Sequence, residues 1–174
     1  VNYKLGHKSK ALLALHYFLL TEPTTTRSES ARTMISKLMA MGVERKDDQN
    51  ITINLSPMDK SSFSASDMMI SLLEATKSIE ENKDLSEAQL FAKNTDSFYA
   101  ILGELRDKET GFWWDNYVDF FSAMQKAGHA ECFSYYMFIG GESKEVSEWL
   151  VANEDKAKSM TAWLAQFMDA RLSD

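Results

Sequence analysis

Cysteine, proline and glycine are scarce in this chain, and each scarcity removes a class of structure. One cysteine among 174 residues, Cys132, permits no internal disulfide, and it leaves the compartment open. A chain of this length buries roughly 70% of the surface its unfolded form exposes, so it folds as one domain without a disulfide or metal. Only two prolines and seven glycines interrupt it, and long stretches therefore lack helix breakers. The expected organisation is a single domain over residues 1–174, with sub-layers 1–62 and 63–174.

Sites built on short motifs are missing too. There is no GxGxxG and no GxxxxGK[ST] to cradle a nucleotide,. A GxSxG elbow, CxxC and HExxH are equally absent,. A di-iron bundle needs Glu-x-x-His pairs. The residues three before His7, His16 and His129 are Lys4, Leu13 and Lys126, so that chemistry fails. No cofactor, metal site or catalytic residue is expected.

The net charge of −7 argues against general nucleic-acid binding,. Its distribution is uneven. Residues 1–46 hold eight Lys/Arg against three Asp/Glu, and residues 47–174 hold eleven against twenty-three. The basic end is expected to face the acidic remainder of its own fold. Ala11–Leu20 is apolar and follows Lys8 and Lys10, as in a signal peptide, but no small-x-small cleavage site follows,. Ten residues are also too few to span a bilayer,. The sequence starts at Val1 rather than Met, so removal of something upstream is expected.

Apolar spacing predicts about eight helices. The first runs from about Asn2 to Leu20 and is apolar nearly all round, which suits a helix between several neighbours,. The second runs from about Ser28 to Met41, closed by Gly42,. Residues 43–62 read as an extended connection. Ile51, Ile53 and Leu55 alternate near 50–56, with no second strand to pair with,. A third helix starts at Ser64, with Asp67 completing a variant capping box, and continues to about Asn82,. Met68, Met69, Leu72, Leu73, Thr76 and Ile79 mark its stripe. A fourth starts near Ser86, with Leu90, Phe91, Thr95, Phe98, Ile101, Leu102 and Leu105 repeating at helical spacing,. The remaining helices cover about 112–127, 129–139, a short stretch with Val146, Trp149, Leu150 and Val151, and 154–171. Ser143 caps the short one. Short connections force antiparallel neighbours, so the fold class is all-α, built of stacked helical hairpins.

The densest aromatic stretch is GFWWDNYVDFF, Gly111 to Phe121. Trp113, Tyr117, Phe120, Phe121 and Met124 fall at i, i+4, i+7, i+8 and i+11, one buried face of an α-helix,. Trp114 flanks that face and is expected to be partly exposed. Residues 112–138 hold ten of the twenty aromatics, which favours a core seam between two helices over a ligand box,. If a ligand is held here, Trp114, Trp113, Tyr117 and Tyr136 are its candidate residues. Asp115 and Asp119 share a helix face and are expected to point at water. His129, Glu131 and Cys132 follow, and an enzyme using Asp115, Asp119 or His129 requires those side chains to converge in one cleft,. His16, inside an apolar helix, reads as a hydrogen-bonded core histidine. Most of the ten methionines fall on the core stripes.

KALLALHYFLLTEP resembles the second helix of a tetratricopeptide repeat. Ala11 stands at the small position, Leu15 at the bulky one and Pro23 at the closing proline, while Phe18 departs from the usual Ala. WWDNYVDFFSAMQKAGHAECFSYYMF resembles a whole helix–turn–helix unit of that family. No period of about 34 residues joins the two. The style is similar to short bacterial proteins described as TPR-like. The resemblance implies a TPR-like superhelix, against an irregular bundle, with a concave surface for a protein or peptide partner. A non-enzymatic interaction module is the first expectation. A small-molecule binding protein with an aromatic pocket between 112–127 and 129–139 is the second.

Overall fold

A computed structural model describes residues 7–45, 50–54 and 62–172. Residues 2–6 of the first expected helix and 46–49 and 55–61 of the extended connection lie outside them. The protein is all-α, with a single two-stranded ribbon among the described residues. Helices α1 (Lys8–Thr21) and α2 (Thr26–Ala40) form the first hairpin. Strands β1 (Val43–Arg45) and β2 (Ile51–Ile53) follow, then α3 (Ser64–Ala75) and α4 (Glu87–Leu105). A π-helical segment, Trp113–Val118, runs directly into α5 (Asp119–Lys126). Then come α6 (Ala130–Tyr136), α7 (Lys144–Ala152) and α8 (Glu154–Leu172).

Helix α4 is the hub. It packs against α3, α5 and α6, while α1 meets α2, α3 and the π segment. This explains why α1 is apolar on nearly every side: Leu12, Leu13 and Leu19 are all buried,. On α4, Leu90, Phe91, Thr95, Phe98 and Leu102 are buried as their spacing predicts, while Ile101 and Leu105 of the same stripe are only half-buried. Ser86 and Gln89 form a reciprocal capping box at its start, with bonds of 3.1 and 2.9 Å,. Ser143 caps α7 by accepting from Val146 N. Helix α7 buries Val146 but leaves Val151 exposed, and α8 buries Met160 alone. This last hairpin is fastened by Trp149, stacked on Tyr135 at 4.0 Å. Lys156 lies over the same indole and pairs with Glu131 at 2.7 Å.

Three expectations are corrected. The ribbon supplies the second strand that the sequence did not reveal. Val43 faces Ile53 and Arg45 faces Ile51, antiparallel. Val43 is the sole apolar residue of β1, so alternation could not mark it. The turn into the ribbon needs Gly42, at φ +79°, where an added Cβ would lie 2.6 Å from Asn54 O. Gly42→Ala is therefore expected to lower stability by about 1–3 kcal/mol in chemical denaturation. Retention of wild-type stability would contradict that role.

The second correction concerns α3. Ser64 and Asp67 make no capping box, because Phe63 is the N-cap and offers no side-chain bond. Asp67 instead serves α1, whose own His7 provides no side-chain cap. Ser9 N and Ser9 Oγ both donate to Asp67 Oδ1, at 2.6 and 2.5 Å. The unpaired N–H groups and positive end of α1 recruit a carboxylate from a neighbouring helix. Lys8 Nζ donates to Met41 O at the end of α2 and to Ser71 Oγ at 2.7 Å. The inward face of α3 is accordingly Ser66, Ile70, Ser71 and Glu74, whereas Met68 and Ile79 are exposed. The helix stops at Ala75 and gives way to two 3₁₀ turns, 76–78 and 80–82. Of the methionines, Met39, Met124, Met137 and Met160 are core and Met68 and Met168 are exposed.

Third, the aromatic stretch is not α-helical at its start. Asp119 N donates to Trp114 O, an i→i+5 bond,. This winding carries more than 3.6 residues per turn and rotates the stripe. Trp114 and Val118 move to the centre of the buried face, and Trp113 and Tyr117 move to its edge. Trp114 is 2% exposed, the reverse of the expectation for it. Its indole stacks on Phe63 at 4.4 Å, and its Nε1 donates to Ser62 Oγ at 3.0 Å.

Candidate functional site

The π segment presents an aromatic surface. Phe112, which opens it, is 67% exposed. Its ring contacts Trp113 at 5.9 Å and Tyr117 at 6.0 Å, and those two lie 4.7 Å apart. Tyr17 of α1 meets Tyr117 edge-on at 5.6 Å. These are ring–ring contact distances, so the side chains fill the space among themselves. They form a face and not a cage. The end of α8 lies beside it. Arg171 donates to the carbonyls of Asp115 and Asn116, and its guanidinium lies 5.5 Å from the Phe167 ring. Met168 and Leu172 are exposed on the same last turns.

The four candidate ligand residues are not brought to one place. Trp113 and Tyr117 share the exposed edge. Trp114 is behind them, with one face taken by Phe63. Tyr136 belongs to α6, where its hydroxyl donates to Leu20 O at 3.4 Å and its ring runs nearly parallel to Phe133. Between α5 and α6, Phe121 and Phe133 are buried and 5.9 Å apart.

The titratable group divides in the same way. Asp115 and Asp119 do share a face, and a partner that the sequence reading missed holds both. Arg106 Nε donates to Asp119 Oδ1 at 2.6 Å, and its Nη2 donates to Asp115 Oδ1 at 2.9 Å. Arg106 opens a 3₁₀ turn after α4, which aims it back at α5. The bond to Asp119 raises its already high pKa. Asp115 also accepts from Gly111 N at 3.2 Å. His129 lies against Trp163 at 5.6 Å, and partial burial lowers its pKa. Glu131 pairs with Lys156, and burial pushes the Cys132 thiol up. Among the described residues, no group of three His, Cys, Asp or Glu is arranged to hold a metal ion.

The chain matches no family model, no curated protein and no solved structure. Its site must therefore be read from its own geometry. No helix of the described residues is long and apolar enough to cross a membrane. Inside the fold, His16 is buried as the sequence suggests and is bonded through Nδ1 to Tyr99 Oη at 2.7 Å. Phe91, Phe98 and Phe121 turn about it edge-on. Desolvation with no nearby charge pulls its pKa down to about 3,. It is a neutral imidazole of the core.

Proposed function

We propose that this protein is a non-enzymatic helical interaction module of TPR-like style that takes a protein or peptide partner on the aromatic face of the π segment. The observation that carries the reading is Phe112, a large apolar ring two-thirds exposed and continuous with Trp113 and Tyr117. Exposed apolar surface of this kind marks interaction sites, and π turns recur at functional positions. Trp, Tyr and Arg are the residues that dominate binding energy at interfaces; Trp113 and Tyr117 stand together here, and Arg171 is bonded to carbonyls of the same segment. The excess of acidic residues over 47–174 favours a partner with apolar anchors and basic flanks over a nucleic acid,. The alternative, a small molecule between α5 and α6, requires space that Phe121 and Phe133 occupy.

Crosslinking capture with the wild-type chain, Phe112→Ser and Met68→Ser tests it. One partner should be recovered by the wild type and by Met68→Ser, whose site is exposed on α3, and lost by Phe112→Ser. Equal recovery by all three, or turnover of a small substrate with no partner recovered, would overturn it.

A further inference from the structure

His16 and Thr95 each have a buried polar atom with no hydrogen-bond partner among the described residues. They are His16 Nε2 and Thr95 Oγ1. Both residues are more than nine-tenths buried. Buried polar atoms are bonded in the great majority of folded proteins, so two orphans at one place require an explanation. They do share a place. A cavity where four helices meet is walled by Leu12 and His16 of α1, Met39 of α2, Ile70 of α3, and Asn94 and Thr95 of α4. Tyr99, which engages His16 Nδ1, is not part of the wall. The third polar residue, Asn94, already donates its amide to Leu73 O at 3.2 Å.

The cavity has room for the centre of one water, about 10 Å³, which is the lower bound for holding one. We propose that it is a binding site for a single water molecule that bridges His16 Nε2 and Thr95 Oγ1. The chemistry selects this guest. A metal ion would need several imidazole, thiolate or carboxylate ligands, and His16 is the one such residue on the wall,. An apolar guest would leave both orphans unbonded. Water can accept from Nε2–H or donate to bare Nε2, so it serves either tautomer of His16. The threonine hydroxyl can likewise donate or accept. The bridge completes a polar link from α1 to α4 through the middle of an apolar core.

A crystal structure of the full chain tests this, together with water–protein cross-relaxation read at the Leu12 and Ile70 methyl groups. The expected result is one density peak within ~2.7–3.2 Å of both atoms, with a long-lived water signal at those methyls. That signal should persist in Thr95→Ser and disappear in Thr95→Val. If Thr95→Val does not fold, the wild-type density and Thr95→Ser decide. A dry cavity that takes up xenon would overturn the proposal. So would Thr95 Oγ1 turned onto the Phe91 carbonyl, or a water signal that survives Thr95→Val.

Discussion

Lowering the pH from 7 to 4 is expected to cost this protein about 3 kcal/mol of stability through His16 alone. The imidazole titrates near its ordinary 6.5 when the chain is unfolded and at about 3 in the core. Above 6.5 it is neutral in both states and contributes nothing to the pH dependence. Between those values the unfolded chain takes up a proton that the folded chain refuses, so stability falls as pH falls. The effect is complete below pH 3, at roughly 5 kcal/mol. Asp67 opposes it. Its carboxyl is raised by burial, so the folded state binds that proton first and acidification through its folded pKa returns some stability. His16→Phe places an apolar ring among Phe91, Phe98 and Phe121. It should flatten the pH dependence between 6.5 and 4, at the cost of leaving Tyr99 Oη without its partner. Urea unfolding of both proteins at pH 7, 5 and 4 measures this. The same slope in both would remove His16 as the cause.

Trp114→Ala is expected to destabilise the fold by about 3–5 kcal/mol, the range for deleting a buried large aromatic. The indole is closed in by Phe63 and bonded to Ser62, so its loss leaves a cavity and an unpaired hydroxyl. Trp113→Ala, one residue away on the half-buried edge, should cost less than half as much. The pair tests the winding of the segment. An α-helix puts Trp113 inside and Trp114 at the edge, and the π turn reverses them. Denaturant midpoints for the two variants measure the difference. A larger loss for Trp113→Ala would contradict the π register.

Much of the fold was legible in the sequence because its signals are local. A cap or a helix-ending glycine acts through backbone groups a few residues away. Ser143 therefore caps α7, and Gly42 and Gly128 close their helices at positive φ. The inward stripe of α4 was readable because its apolar residues keep a regular α spacing. Legibility at the candidate site was partial. The common face of Asp115 and Asp119 follows from their separation of four. Their shared Arg106, nine and thirteen residues upstream, depends on a 3₁₀ turn that no spacing announces.

The order of residues alone shows that the chain is helical, where most helices begin and end, and that 112–138 form a core seam over much of their length. Only the tertiary structure decided which way that seam faces and what its polar residues do. The π-helical winding of Trp113–Val118 exchanged the places of Trp113 and Trp114. Asp67 became the cap of α1 because a helix end with unpaired N–H groups lay beside it. Ser66 and Ser71 on the inward face of α3 bond the side chains of Ser9 and Lys8 at that same end of α1. Periodicity reports how a segment winds if its winding is regular. Which orphaned donor meets which carboxylate depends on helices brought together from distant parts of the chain.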